Sequence, residues 1–209
     1  MCQFKSAICL KDRVFVPDYD SHSKMLEELH IEDDFVHASK VFVRVELVPK
    51  DDDKTSDVDK WKLNVDQDVL PDWWDKSIDL PRIKAAIKEW CDSHILRDGM
   101  HTVRDGIWYA YDSATVEAHD SAKVYAYDSA MVYAYGSTKV SAYDSAKVYA
   151  YDSAMVYACG GAKVEAYDSA TVFLPKYSQT SEPVLLHCEA ICINYKDHTI
   201  QSPVKWEQK

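Results

Sequence analysis

Glycine is scarce in this chain, which has only 5 glycines among 209 residues. A phosphate-binding loop needs several glycines close together, because its backbone N–H groups must approach the phosphate oxygens. The sequence contains no such loop and no complete catalytic motif. We therefore expect no cofactor, and a non-enzymatic protein is favoured, although the sequence leaves the question of an enzyme open.

Positive charge and long apolar runs are also lacking. The chain has 24 Lys and Arg against 35 Asp and Glu, a net charge of −11. A nucleic-acid-binding protein usually carries a basic stripe, so we do not expect direct nucleic-acid binding. No apolar run approaches the roughly 18 residues of a membrane-spanning helix, so we expect no membrane association.

The cellular compartment is predicted from the first residues and the cysteines. Residues 1–13 carry charges early and have no apolar stretch followed by a cleavage site, so we expect no secretion signal. The six cysteines include no Cys-x-x-Cys pair and form no dense framework. We therefore expect a cytoplasmic protein with reduced thiols.

What the chain does have is a repeat of eight residues, which runs from Tyr111 to Leu174. The octads are YDSATVEA, HDSAKVYA, YDSAMVYA, YGSTKVSA, YDSAKVYA, YDSAMVYA, CGGAKVEA and YDSATVFL. Positions four, six and eight are mostly Ala, Val and Ala, which places them on one face of a strand. Asp-Ser at positions two and three is typical of a turn. Residues 103–110 are a degenerate octad with Trp108 in the valine position.

Two architectures could contain strand-turn units of eight residues, and side-chain parity separates them. In a meander of two-residue hairpins, position one would share a face with position four, and the Ala-Val-Ala rows would change sides at every strand. In a parallel β-solenoid with two octads per coil, every octad can turn these residues inward. We therefore predict about four coils of 16 residues, a rod of roughly 19 Å at about 4.8 Å per strand.

The regions on either side of the repeat predict the rest of the fold. Alternating segments such as VFVRVEL (41–47) and helical patterns near 23–30 and after Asp79 indicate an α+β head domain. Residues 184–201 indicate a β-hairpin that turns near Lys196-Asp197. The predicted domains are an α+β head at 1–102, the solenoid at 103–174 and a C-terminal β cap at 175–209. Atypical units such as Trp108 and the last octad would close the ends.

The repeat resembles that of bacterial ice-nucleation proteins, through AYGST at residues 134–138 and the AYDSA segments. It is also similar to octad repeats in uncharacterised phage and bacterial proteins. The resemblance implies a β-solenoid, and it suggests a phage or mobile-element setting in which the protein counters host defence. Long threonine-rich arrays are absent here, so the resemblance implies no ice-related role.

Stacking the coils predicts columns of tyrosines and aspartates. The tyrosines that would form an interaction face are Tyr111, Tyr127, Tyr143, Tyr133, Tyr149, Tyr135, Tyr151 and Tyr167. Stacked rings also stabilise neighbouring strands, and this structural role is the alternative interpretation. The turn aspartates Asp112, Asp128 and Asp144 would form an acidic column, which either bonds to backbone amides or imitates phosphates. Four lysines, Lys123, Lys139, Lys147 and Lys163, dilute that negative field.

Three residues are candidates for catalysis. Removal of Met1 would leave Cys2 as an N-terminal thiol beside its own amine, which is one route to an activated nucleophile. Asp20 and His22, with Asp18, lie before a helix, where they could hold a metal, act as a base or form a capping turn.

A second metal hypothesis concerns His187, Cys188, Cys192 and His198, which lie within 12 residues. Zinc uses such ligands. However, Cys188, Ala190 and Cys192 alternate along a strand, as the small residues of a core face do. The core interpretation is favoured, so no metal is expected.

These observations favour a protein-binding or scaffold protein whose solenoid presents a flat face rich in Tyr and Asp to another protein. The alternative is an enzyme or small-molecule binder centred on the Cys2 thiol. Solenoids stacked end to end in a structural role are a third hypothesis. The oligomeric state and the handedness of the solenoid are not predicted.

Overall fold

The structure is a computed structural model, and it describes residues 4–49, 57–176 and 184–203. The chain divides into two compact units, residues 1–93 and 94–209. The first is a small mixed α/β unit and the second is a parallel β-solenoid. None of the described helices is both long enough and apolar enough to cross a membrane.

The first unit contains a four-stranded antiparallel sheet with the strand order β2-β1-β3-β4. Its elements are β1 (Lys5–Leu10), β2 (Val14–Phe15), α1 (His22–Glu28), α2 (Phe35–Ala38), β3 (Phe42–Val48), a 3-10 turn (Val58–Lys60), β4 (Lys62–Val65) and α3 (Lys76–His94). The alternation in VFVRVEL places Val43, Val45 and Leu47 in the core, each fully buried. The sequence predicts a face of Val41, Val43, Val45 and Leu47, and the structure shows it except for Val41, which is exposed and precedes β3.

The solenoid strands follow α3. They are β5 (Ile95–Leu96), β6 (Met100–Val103), β7 (Ile107–Ala110), β8 (Thr115–Ala118), β9 (Lys123–Ala126), β10 (Met131–Ala134), β11 (Lys139–Ala142), β12 (Lys147–Ala150), β13 (Met155–Ala158), β14 (Lys163–Ala166), β15 (Thr171–Leu174), β16 (Leu185–Leu186), β17 (Ile191–Asn194) and β18 (Thr199–Gln201). From β5 to β17, successive strands alternate between a six-stranded and an eight-stranded sheet, and β18 is the edge strand of the eight-stranded sheet.

Parallel pairing holds each octad in register with the one 16 residues away. Val132 pairs with Val116 on one side and with Val148 on the other, and the neighbouring Ala134 pairs with Ala118 and Ala150. Octad positions four, six and eight are therefore buried in one shared core of both sheets. This burial confirms the parity argument for a parallel solenoid with a 16-residue repeat.

The turns place octad position two in left-handed backbone conformation. Asp120, Asp128 and Asp144 have φ between 53° and 55°, while Gly136 and Gly160 have φ of 66° and 64°. Few residues other than Gly, Asn and Asp adopt this conformation readily, which explains the choice of Asp or Gly at this position. At position three, serine hydroxyls such as that of Ser137 donate to a carbonyl of the preceding coil, here Asp120 O at 2.8 Å.

The predicted number of about four coils is wrong, because the solenoid has about six. Upstream, β5 and β6 already pair in parallel with β7 and β8. The octad period does not reveal these strands because their turns, Arg97-Asp98-Gly99 and Arg104-Asp105-Gly106, are one residue shorter. Trp108 does occupy the valine position, opposite Val124, but it lies in the second strand of its sheet and so does not close the end.

The C-terminal region also extends the solenoid, beyond the boundary predicted at Leu174. β16 pairs in parallel with β14, and β17 pairs in parallel with β15. The predicted hairpin is present as β17 and β18, which are antiparallel. Its first strand is also a solenoid strand, since Ala190 and Cys192 are fully buried in the core. Pro175 therefore does not end the parallel pairing.

Candidate functional site

Tyrosines at octad position one stack in two columns, one along each turn. Tyr111 lies 4.8 Å from Tyr127, which lies 4.9 Å from Tyr143, measured between ring centroids. In the other column, Tyr151 lies 5.0 Å from both Tyr135 and Tyr167. These spacings equal the distance between stacked strands, so each ring follows its own coil.

Tyrosines at position seven form shorter stacks on the outer sheet faces. Tyr109 and Tyr125 are 5.2 Å apart on the eight-stranded sheet, and Tyr133 and Tyr149 are 5.0 Å apart on the six-stranded sheet. The register places Ser141 between Tyr125 and Tyr157, so these two rings do not stack. Tyr157 stacks instead on Phe173, at 4.7 Å.

Position-seven and position-one tyrosines combine into two groups of five rings, which we name the tyrosine panels. Panel one consists of Tyr109, Tyr125, Tyr111, Tyr127 and Tyr143. Panel two consists of Tyr133, Tyr149, Tyr135, Tyr151 and Tyr167. Adding 24 to each residue number of panel one gives panel two, a shift of three octads. Because a coil contains two octads, the position-seven rings of the two panels lie on different sheets, and the panels are offset by one and a half coils.

The panels are partly covered by their own packing. Nine of the ten tyrosines are half-buried, and Tyr127 is 7% exposed. Burial raises the pKa of Tyr143 and the pKa of Tyr151 above the ordinary value of a phenol. Stacked, neutral phenol rings form a rigid surface with little rotamer entropy to lose on binding.

The columns end in cations or imidazoles that the tyrosine pattern does not predict. His119 stacks on Tyr135 at 4.9 Å, and His187 stacks on Tyr167 at 4.4 Å. The Arg97 guanidinium lies 5.2 Å from the ring centroid of Tyr111. His119 could have been found from sequence, since it occupies position one of its octad, whereas Arg97 and His187 lie outside the regular repeat.

The turn aspartates bond to the backbone and to arginines. Asp152 accepts a hydrogen bond from Gly136 N at 2.9 Å, and Asp168 accepts one from Asp152 N at 3.1 Å. In the predicted column of Asp112, Asp128 and Asp144, Arg97 forms an ion pair with Asp112 at 3.1 Å. Backbone bonding is therefore seen in the column of Asp152 and Asp168, whereas the role of the predicted column stays a prediction.

Of the three catalytic candidates, Asp20 and His22 are described, and they have different hydrogen-bonding partners. Cys2 lies outside the described residues. Asp20 bonds to Lys5 Nζ at 3.1 Å and to Ser6 N at 3.0 Å. Asp18 accepts from Trp90 Nε1 at 3.2 Å, and His22 contacts Asp66 at 3.2 Å. Asp18 and Asp20 therefore have structural partners within the first unit, whereas His22 points toward other carboxylates.

The four residues of the zinc hypothesis occupy different parts of the last coil. Cys192 is fully buried and pairs with Val172 in the valine position. Cys188 is exposed in a turn with φ of 54°, the position of the turn aspartates. His187 stacks on Tyr167, and His198 lies between β17 and β18. Among the described residues, they form none of the clusters of potential metal ligands.

Comparisons with known proteins add no identification: no family model, curated protein or solved structure matches the chain.

Proposed function

We propose that this protein is a non-enzymatic scaffold that binds another protein through the tyrosine panels of its solenoid. The observation that carries the proposal is the duplication of one five-ring arrangement after 24 residues, on two different sheets. If the rings only stabilised the strands, they would need to stack in columns. They would not need to form the same group of position-seven and position-one rings twice.

Tyrosine suits such a surface for physical reasons. It is enriched at the centres of protein interfaces, because it combines a large apolar ring with a hydroxyl group. The stacks hold the rings in place before a partner arrives, which lowers the entropic cost of binding. Two equivalent panels would allow two copies of a partner to bind, or one partner with two matching sites to bind with higher avidity.

A cytoplasmic setting is part of the proposal. The five cysteines among the described residues form no disulfide, and Cys188 is exposed, which is compatible with a reducing compartment. The phage or mobile-element setting is proposed from the resemblance of the repeats alone. The alternative function, an enzyme or small-molecule binder that uses Cys2, concerns a residue outside the described ones.

The repeat itself supplies the substitutions for a test. Position seven is Ser in one octad, at Ser141, so tyrosine-to-serine changes at this position are compatible with the strand. We would remove panel two with Y133S and Y149S, panel one with Y109S and Y125S, and both with all four changes. The control is Lys139→Thr, because Thr115 and Thr171 occupy the same octad position.

The measurement is capture of proteins from a host lysate on the full chain and its variants, followed by affinity measurement with the purified partner. We expect the wild-type chain to bind two equivalents, each double variant one, and the fourfold variant none, while Lys139→Thr binds like wild type. A folded fourfold variant, judged by circular dichroism, that retains the partner with unchanged affinity would refute the proposal. So would a wild-type chain that captures no protein.

A further inference from the structure

His22 in the first unit has two contacts that a neutral imidazole cannot both satisfy by hydrogen bonding. It is the first residue of α1, and its side chain is 9% exposed. Its Nε2 lies 3.3 Å from Val45 O, and its Nδ1 lies 3.2 Å from Asp66 Oδ2. Both partners are hydrogen-bond acceptors, whereas a neutral imidazole has only one N–H group to donate.

A cation resolves this conflict. If Nε2 donates its proton to Val45 O, the Nδ1 lone pair faces a carboxylate, and two acceptors then lie 3.2 Å apart. Either a second proton or a metal ion must lie between them. In proteins, a metal-ligating histidine usually donates its other ring N–H to a carbonyl or carboxylate, and Val45 O provides this partner.

A third potential ligand, Glu46, belongs to the same cluster. The ligand atoms of His22, Glu46 and Asp66 all lie within 4.8 Å of one another. Asn64 Nδ2 donates to Glu46 Oε2 at 3.0 Å, which orients that carboxylate. The three residues come from α1, β3 and the segment after β4, so the fold of the sheet and its first helix assembles the cluster.

We propose that His22, Glu46 and Asp66 bind a divalent first-row transition-metal ion, of which Zn²⁺ is the type case. Such ions accept mixed nitrogen and carboxylate ligands. Two ligand atoms at about 2.0–2.1 Å from a tetrahedral zinc ion lie roughly 3.3 Å apart, close to the 3.2 Å between His22 Nδ1 and Asp66 Oδ2. Three protein ligands leave a fourth position for water or another molecule, as in catalytic rather than structural zinc sites.

A second cluster of the same residue types provides the matched control. Glu32, Asp34 and His37 also lie together, but Asp34 is the N-cap of α2. Its Oδ1 accepts from both His37 N and His37 Nδ1 at 2.8 Å, and these bonds lower the pKa of Asp34. Each contact joins a donor to an acceptor, so this cluster needs no metal ion.

The test is titration of the metal-free full-length protein with Co²⁺ and then Zn²⁺, followed by calorimetry and by the visible absorption of cobalt. We expect one equivalent to bind, with a cobalt spectrum that lacks the thiolate charge-transfer band. We expect H22Q, E46Q and D66N each to weaken binding by about 100-fold, since the loss of even an outer-shell partner costs roughly 10–100-fold. H37Q should bind like wild type.

Several outcomes would overturn the proposal. If the wild-type protein binds no metal, the three residues do not form a metal site. Binding with a thiolate band would assign the metal to cysteines, and unchanged affinity in D66N would exclude this cluster. Asp66 is exposed, so D66N is the variant least able to disturb folding, and circular dichroism of each variant checks that it is folded. The site is independent of the tyrosine panels, so either proposal can fail alone.

Discussion

The cores of the two units of this protein consist of side chains of different size. The first unit packs large side chains, and Phe42, Ile8, Met25 and Leu26 are each at most 1% exposed. The solenoid core consists mostly of alanine and valine, and apart from Leu96 its buried side chains are no larger than those of valines such as Val116 and Val132. Each small side chain buries little apolar area, so a single solenoid position contributes less hydrophobic stabilisation than a single position in the first unit.

The difference shows two ways to specify a fold. In the first unit, each large side chain fills its own space in the core. The packing at each position therefore depends on that one side chain. In the solenoid, each octad position recurs in successive coils. Most outward-facing positions hold different residue types in different octads. Stability there comes from stacked coils and repeated turns, as in other repeat proteins.

The largest effect that tests this comparison is the loss of one core side chain from each unit. We expect Phe42→Ala to reduce the free energy of unfolding of the first unit by about 4 kcal/mol, because it leaves a cavity among large neighbours. Val132→Ala in the solenoid should cost about 2 kcal/mol, the value of roughly two buried methylene groups. Native-state hydrogen exchange measures the opening free energy of each unit separately.

The control for this pair is the unit that was not changed. Exchange in residues 94–209 should be unaffected by Phe42→Ala, and exchange in residues 1–93 should be unaffected by Val132→Ala. If Val132→Ala cost as much as Phe42→Ala, the core of the solenoid would be as specifically packed as that of the first unit, and the comparison would fail.

A smaller effect is expected at the turns, where backbone conformation rather than packing decides. Asp144 has φ of 54°, a conformation that is strained for a β-branched residue. Asp144→Val should therefore reduce solenoid stability by about 1–2 kcal/mol. Asp144→Gly should change it by less than about 0.5 kcal/mol, because glycine adopts this conformation freely and Gly136 and Gly160 already occupy the equivalent position.

Urea denaturation of both variants beside wild type measures this difference. Equal losses for valine and glycine would show that the Asp144 carboxylate, and not the backbone conformation, determines the residue at octad position two.

The solenoid could be predicted from sequence because its signal is repeated. The period of two within each octad, together with the parity of the turns, determined which face is buried. The number of coils could not be predicted, because the Arg-Asp-Gly turns break the eight-residue period and residues 187–194, HCEAICIN, keep only the alanine of position four. The last coil is recognisable only from its pairing with β15.

Prediction of the candidate sites had a similar limit. The 16-residue spacing predicts the tyrosine columns, and the rings do stack, but whether they bind a partner stays a prediction. Grouping the rings into panels also requires the position-seven tyrosines Tyr109 and Tyr125, one of which belongs to the degenerate octad. No spacing pattern could have joined His22 to Glu46 and Asp66, because these residues lie on separate elements and meet only through the fold.

The smallest expected effect concerns a chemical difference between two equivalent members of the panels, Tyr167 and Tyr143. Tyr167 donates to Glu165 Oε2 at 2.8 Å, and this hydrogen bond is the main reason that the pKa of Tyr167 is raised to about 12. Its counterpart Tyr143 has Ser141 in place of the glutamate, and the pKa of Tyr143 is raised mainly by burial. Glu165→Ser would give panel two the residue found in panel one.

We expect Glu165→Ser to lower the pKa of Tyr167 toward the ordinary value of about 10 and to leave Tyr143 unchanged. Phenolate absorbance during alkaline titration, with Tyr167→Phe in both backgrounds to isolate one ring, measures the shift. A raised pKa in the folded state stabilises the protein below the pKa of the unfolded chain, and this contribution is lost as the pH rises through the folded value. The wild type should therefore lose this stability between about pH 10 and about pH 12, and the variant should lose less. An unchanged Tyr167 pKa would mean that burial, as at Tyr143, sets the protonation of both panels alike.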